Sequence, residues 1–150
     1  MVTEIVDRTE AIWTALANVP DPEIPVLSVV DLGIVRSVAP DRVVVTTTYT
    51  GCPASDVIER SIRIALDQAG FADATLERAI SPAWTTDWIT PEGRSKLQAY
   101  GIAPPARSSP RCPQCRSDDV LEVSRFGSTP CKSMWRCAAC LEPFEQFKCH

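Results

Sequence analysis

The first apolar pattern in the chain has the periodicity of an α-helix. Over residues 4–18 it places charged side chains on one face and an apolar stripe on the other, formed by Ile5, Ile12, Trp13 and Leu16. This spacing predicts an amphipathic helix. Pro20 ends it, and Pro22 and Pro25 predict a rigid, non-helical loop, because each proline removes a backbone donor and restricts the residue before it.

β-branched residues then indicate a small sheet. Residues 34–38 and 43–49 predict two strands joined by a turn at Pro40 and Asp41, which is the pattern of a hairpin. Residues 74–80 are expected to add a third strand, although their alternation is imperfect.

Two further helices follow from the pattern. The first of them begins after residue 53 and ends at Gly70, with one apolar stripe formed by Ile58, Ile62, Ala65, Leu66 and Ala69. The other has Thr90 as N-cap and Pro91 as its first residue, and it ends at Gly101. The order α-β-β-α-β-α predicts an α+β domain over residues 1–105, with helices on one face of a small sheet.

Two Cys-x-x-Cys pairs, separated by 21 residues, indicate a unit of a different kind after residue 111. Two cysteines three positions apart on a tight turn direct both sulfurs at one ion. The pairs therefore predict a structural metal site with four thiolate ligands: Cys112, Cys115, Cys137 and Cys140. Zinc suits such a closed site, and iron in a rubredoxin-like site has the same ligands. Ordinary buried thiols are the alternative for these four cysteines. Residues 112–150 are too few to fold by burial alone, so we predict a zinc-ribbon-like β module there, after a proline-rich linker at 106–111.

The same segment holds three further potential ligands. Cys131 and Cys149 are not used by the four-cysteine scheme, and His150 is the only histidine of the chain. The two cysteines form a second or alternative metal set, or they are small buried apolar side chains.

Charge is divided unevenly along the chain. The net charge is −4, with −6 over residues 1–105 and +2 over residues 106–150. An acidic domain argues against nucleic acid as a partner. No apolar segment approaches the roughly 18 residues that cross a bilayer, and the first residues lack the apolar core of a signal peptide, so we expect a cytoplasmic protein without a membrane partner. Thiols stay reduced in the cytoplasm, which favours metal binding over disulfides.

Cys52 stands alone just before the second predicted helix. A thiol at a helix N-terminus faces unpaired amides and the positive end of the dipole, which would make it a good soft-metal ligand or nucleophile. A Cys/His catalytic pair is excluded within this domain, since it contains no histidine. A buried structural thiol is the alternative for Cys52. Asp21, Glu23 and Asp31 flank the proline-rich loop and are candidates for a carboxylate site. Ordinary turn and capping roles are the favoured alternative for them.

The motifs of residues 4–80 resemble the SufT-like domains associated with iron–sulfur cluster assembly. The resemblance rests on the Asp-Pro-Glu-x-Pro-Val loop at 21–26, on the Asp-Leu-Gly motif at 31–33, and on the Cys-Pro pair at 52–53. It implies that Cys52 is reactive or coordinates a cluster, with Asp21 and Glu23 shaping the pocket around the thiol. The implied cargo is a transient iron ion or iron–sulfur cluster.

Segments 84–90, 100–105, 126–132 and 142–150 extend a resemblance nearly end to end, to the PaaD family of bacterial phenylacetyl-CoA epoxidase systems. It implies a non-catalytic accessory role in aerobic phenylacetate degradation, in which the chain helps to assemble or load the iron–sulfur or di-iron centre of the other epoxidase subunits or of the reductase. Competing hypotheses are a zinc-ribbon module that binds nucleic acid or docks a protein, and a thiol oxidoreductase that cycles a Cys-x-x-Cys pair. Homodimerisation through an exposed sheet edge is an open alternative.

Overall fold

A computed structural model of the protein describes residues 2–48 and 54–149. The chain divides into two compact units, residues 1–90 and 91–150. Within the described ranges, none of the helices has the length and apolar character that crossing a membrane requires.

The first unit combines helices with a three-stranded sheet. Its elements are α1 (Val2–Leu16), β1 (Val35–Ala39), β2 (Arg42–Val45), α2 (Ser55–Gln68), β3 (Thr75–Arg78) and a short 3-10 helix (Thr86–Trp88). β1 and β2 form the predicted antiparallel hairpin, and β3 pairs with β2 in parallel. Neighbouring parallel strands need a crossover connection, and α2 provides it between β2 and β3. The predicted α+β architecture is confirmed.

The apolar stripes of the two long helices meet in one core. Ile12 and Leu16 of α1, and Ile62 and Leu66 of α2, are completely buried, and α1 packs against both α2 and β1. Burying each such side chain contributes about 1.5–3 kcal/mol. Ile5 departs from the prediction because it is 51% exposed, so only the C-terminal part of the α1 stripe reaches the core.

The second strand is shorter than its apolar pattern suggests. We expected it to run to residue 49, but β2 ends at Val45. Val45 pairs with Val35, the first residue of β1, and one further bond from Thr46 N to Ile34 O at 2.9 Å closes the pairing. β2 therefore ends where β1 has no further residue to pair with, although the β-branched sequence continues beyond it. Tyr49 lies outside the described residues.

The segment after β3 is seated on the turn at residues 31–33. The indole Nε1 of Trp84 donates to the carbonyl of Leu32 at 2.8 Å, and the amide of Thr90 donates to the carbonyl of Asp31 at 2.9 Å. Trp84 is buried. The Asp-Leu-Gly motif is thus a structural support of the first unit.

The second unit is a four-stranded sheet preceded by one helix. Its elements are α3 (Pro91–Ala99), β4 (Ile102–Ala103), β5 (Val120–Ser124), β6 (Lys132–Cys137) and β7 (Pro143–Phe147). The strand order is β4-β7-β6-β5, and β4 pairs with β7 in parallel. Residues 91–105, assigned to the first domain by sequence, therefore contribute a helix and a strand to this unit. The limits of independently folding domains, 1–105 and 112–150, stay a prediction.

Candidate functional site

Two matching turns carry the four predicted metal ligands. The first turn, residues 112–117, lies between β4 and β5, and the second turn, residues 137–142, joins β6 to β7. In both, the amide of the first cysteine donates to the carbonyl five residues later at 3.0 Å. In both, the residue after the second cysteine has a positive φ, 66° at Arg116 and 68° at Leu141. The two turns are structural copies of each other.

The four sulfurs are close enough to share one ion. All four lie within 4.8 Å of one another. Cys112 Sγ is 3.6 Å from Cys140 Sγ, and Cys115 Sγ is 3.5 Å from Cys137 Sγ, so each of these short distances joins the two turns. Tetrahedral zinc with bonds of about 2.3 Å separates its sulfur ligands by about 3.8 Å. The donor set fits a structural zinc ion, with all four ligands supplied by the protein.

Half of this cluster belongs to the apolar core of the second unit. Cys112 and Cys137 are fully buried and pack with Ala103 and Phe144, whereas Cys115 and Cys140 are exposed. An ion bound here would link the two buried cysteines of the core to the two exposed cysteines of the turns. Metal binding would therefore be coupled to folding of this unit.

The environment separates the acidities of two neighbouring thiols. The amide of Cys140, at 3.4 Å from the Cys137 sulfur, is the main cause that lowers the pKa of Cys137 to about 7, with help from the Ala139 amide and against the effect of burial. For Cys140 the amide of Glu142 lowers the pKa, but burial and the three neighbouring thiols outweigh it and raise the pKa to about 12. Ionisation of Cys137 thus opposes ionisation of Cys140, and a divalent cation would remove this opposition.

The two other described cysteines of the second unit lie outside this cluster. Cys131 is buried, with its Sγ 3.0 Å from the Thr129 hydroxyl, and Cys149 is exposed. His150 lies outside the described residues. A second metal set made from Cys131 and Cys149 stays a prediction.

In the first unit, the proline-rich loop is organised around Asp21. This carboxylate is buried, and its Oδ1 accepts from the amides of Glu23 at 2.8 Å and Ile24 at 2.7 Å. Glu23 is half-buried. Asp31 acts in a similar way: its Oδ2 accepts from the Ser28 amide at 2.9 Å, and the Ser28 hydroxyl accepts from the Asp31 amide at 3.0 Å. Asp21 and Asp31 thus have turn and capping roles in the loop, as the sequence suggested for them.

Replacing Asp21 by alanine is expected to destabilise the first unit by about 1–3 kcal/mol, because two amide donors of the loop lose their acceptor. Asp21→Asn keeps one side-chain oxygen and should lose less. Urea unfolding followed by circular dichroism measures both variants. Equal midpoints for Asp21→Ala and the wild type would show that the loop does not depend on this carboxylate.

The segment that contains Cys52 is flanked by polar side chains. Residues 49–53 lie outside the described residues, so the predicted grouping of Cys52 with Asp21 and Glu23 stays a prediction. On the two sides of this segment, a small cleft is lined by Thr46, Thr48, Ser55 and Glu59, and both threonines are buried. These hydroxyls were not among the site residues predicted from the sequence. The run of three threonines at 46–48, two residues before the Gly-Cys-Pro segment, was the available signal.

Comparisons with known proteins divide the chain in the same way. Residues 9–74 match the family model for iron–sulfur cluster assembly proteins, and residues 103–148 match the model for the PaaD zinc β-ribbon domain. A domain of unknown function, DUF59, from Bacillus anthracis has a similar fold, with a TM-score of 0.57 and 20% identity over 65% of this chain and 97% of that chain.

Two curated proteins are similar in sequence. An iron–sulfur protein maturation auxiliary factor of Porphyromonas gingivalis strain W83 is 34% identical over 65% of this chain and 97% of its own length. A protein of Escherichia coli strain K12 named as a subunit of 1,2-phenylacetyl-CoA epoxidase is 45% identical over 95% of this chain and 93% of its own length. Since this second likeness covers both units, the chain belongs to the PaaD family of 1,2-phenylacetyl-CoA epoxidase subunits.

Proposed function

We propose that this chain is a non-catalytic accessory subunit of a phenylacetyl-CoA epoxidase system, which helps to assemble or load the iron–sulfur or di-iron centre of its partner subunits. The observation that carries the proposal is the joining, in one chain, of a segment matching iron–sulfur cluster assembly proteins with a segment matching the PaaD zinc β-ribbon. The likeness to the E. coli subunit runs through both segments. The partners are then the other epoxidase subunits or their reductase, in the cytoplasm.

In this proposal the first unit handles the metal cargo. Cys52 is the transient ligand for iron or a cluster, and Asp21 and Glu23 shape the pocket. Two features of the described residues support this role. Asp21 accepts two hydrogen bonds from backbone amides of its loop, and the buried hydroxyls of Thr46 and Thr48 precede the segment that carries Cys52. A rigid frame of this kind would position one thiol without further side-chain ligands.

The second unit is the structural and docking part. Cys112, Cys115, Cys137 and Cys140 would hold zinc, which contributes folding energy and no redox chemistry. Because the sulfurs are provided by two copied turns and every ligand comes from the chain, the site leaves no open coordination position for a substrate. Its role is then to hold the surface of the sheet in shape for a partner.

The carrier role predicts that Cys52→Ser lowers the iron content of the partner oxygenase. The variant is co-expressed with the epoxidase subunits in a strain that lacks the wild-type gene, and iron in the purified oxygenase is measured by elemental analysis. We expect a loss of most of the iron, because serine is a poor ligand for soft metal ions. The matched control is Cys149→Ser, which removes an exposed thiol outside the four-sulfur cluster and should leave iron loading unchanged.

Unchanged iron loading with Cys52→Ser would contradict the carrier role. Equal losses with Cys52→Ser and Cys149→Ser would point instead to a general effect on expression or assembly. Zinc analysis of both purified variants separates these cases, since neither substitution alters the proposed zinc ligands.

A further inference from the structure

Arg116 lies at the centre of a groove on the second unit. Two adjoining cavities, of about 370 and 520 Å³, share three lining residues, which are Gln98, Pro113 and Arg116. Prolines 104, 105 and 110 line the first cavity, and Tyr100, which is 60% exposed, lines the second. Volumes of this size are typical of small-molecule sites.

The backbone and the side chain of Arg116 are both held in place. Its amide donates to the carbonyl of Cys112 at 2.9 Å, which closes the first metal-binding turn. Its guanidinium nitrogens lie 2.7–3.2 Å from the side-chain oxygen of Gln98 in the amide orientation that satisfies both partners. A guanidinium fixed in this way is pre-organised, so a ligand would lose less of its binding free energy to ordering the side chain.

A second guanidinium and two hydroxyls line the first cavity, together with the carboxylate of Asp118. Arg111 Nε donates to Asp118 Oδ1 at 2.9 Å. Within the described residues, this hydrogen bond is the polar contact of the Arg111 side chain. It leaves the two terminal guanidinium nitrogens available to a ligand. The ion pair is largely exposed and therefore weak. Ser108 and Ser109 provide the hydroxyls.

The charge of the second unit has the sign that an anion requires. Residues 91–150 carry nine basic and six acidic side chains, whereas residues 1–90 carry six basic and 13 acidic ones. A positive concave surface raises the local concentration of anions. Planar guanidinium groups also match the geometry of phosphate and carboxylate oxygens better than an ammonium group does.

We propose that this groove, centred on Arg116, binds a small molecule through an oxyanion, either a phosphate or a carboxylate. The two guanidinium groups and the serine hydroxyls take the charged group in the first cavity. The second cavity, beside the Tyr100 ring, takes the remainder of the molecule. This site is separate from the four-sulfur cluster, although the first metal-binding turn positions its central arginine.

The test uses the full-length, zinc-loaded protein at 0.15 M salt, titrated with inorganic phosphate, pyrophosphate and acetate. Binding is followed by two-dimensional amide NMR. Arg116→Asn removes the guanidinium but keeps a residue that tolerates positive φ, and it should weaken binding about tenfold, as expected when a charge-assisted contact is lost. The control Arg125→Gln removes an arginine of the same unit that does not line either cavity, and it should leave the affinity unchanged.

Zinc content and melting temperature are measured for each variant. If Arg116→Asn disturbs the fold, Arg111→Gln replaces it as the test variant and should weaken binding several-fold. Stronger binding of phosphate than of acetate assigns the ligand to phosphate compounds, and the reverse order assigns it to carboxylates. The absence of saturable shifts at groove residues, equal affinity in the arginine variant and its control, or saturable binding of an acidic peptide alone would overturn the proposal.

Discussion

Replacing Cys137 by serine is expected to abolish zinc retention and to unfold the second unit. Cys137 is fully buried and belongs both to the sulfur cluster and to the apolar core around Phe144. Structural zinc provides on the order of 10–16 kcal/mol of apparent folding free energy in small domains, and a unit of this size has little core to replace it. Zinc per chain, measured by elemental analysis, should fall from one to near zero, and near-ultraviolet circular dichroism should lose the signal of packed aromatic residues.

The matched control for this experiment is Cys149→Ser, the same chemical change at an exposed cysteine outside the cluster. It should retain one zinc ion per chain and the melting profile of the wild type. Stoichiometric zinc in Cys137→Ser would contradict the four-cysteine site. Zinc loss in Cys149→Ser would instead support the second metal set that the sequence leaves open, and one bound iron in place of zinc would identify a rubredoxin-like centre.

The second large effect is expected for Gly33→Ala in the first unit. Gly33 has a φ of +70°, and a Cβ atom there would lie 2.7 Å from Trp88 Cβ and 2.9 Å from the Trp88 carbonyl carbon, in addition to a closer collision with the carbonyl oxygen. The left-handed backbone costs about 1–2 kcal/mol for a residue other than glycine, and forcing an extra methyl into a packed site costs about 1–3 kcal/mol more. The urea midpoint of the first unit should fall accordingly.

Gly70→Ala separates these two costs. Gly70 also has a positive φ, +90°, but an added Cβ would meet nothing within 4 Å. This control should show only the backbone cost, so it should be clearly more stable than Gly33→Ala. Equal unfolding midpoints for the two variants would mean that the segment after β3 moves away from Gly33 at little cost.

The Gly33 prediction changes how the Asp-Leu-Gly motif is interpreted. Each residue of the motif contacts the segment after β3. The carbonyl of Asp31 accepts a hydrogen bond from the Thr90 amide, and the carbonyl of Leu32 accepts one from the Trp84 indole. The backbone of Trp88 closely approaches Gly33. The motif thus supports the packing of the segment after β3 in the first unit. A substitution here is expected to alter function through stability, which the unfolding measurement distinguishes from a loss of metal chemistry.

Local patterns in the sequence predicted most of the secondary structure. The α2 stripe, the helix stop at Gly70 and the start of α3 at Pro91 depend on periodicity and on capping within a few residues. The stop and the start are found in the structure, and Ile58, Ile62 and Leu66 of the stripe are buried. Ala69 departs from the prediction because it is exposed at the C-cap, where the helical periodicity ends. The Cys-x-x-Cys pairs are equally local, because a tight turn alone aligns two sulfurs. Their spacing was enough to predict one four-sulfur group, whose sulfurs the structure brings within 4.8 Å.

What the sequence by itself determined about this protein is therefore its local elements, its α+β class, the four-cysteine group and, through its motifs, its family. The tertiary structure decided which distant segments meet: Ile102 beside Glu145 in the β4–β7 pair, Trp88 against Gly33, and Arg116 against Gln98. The physical reason is that periodicity and turn chemistry act between near neighbours along the chain, whereas these contacts depend on how whole elements pack, and many different residues would allow the same local pattern.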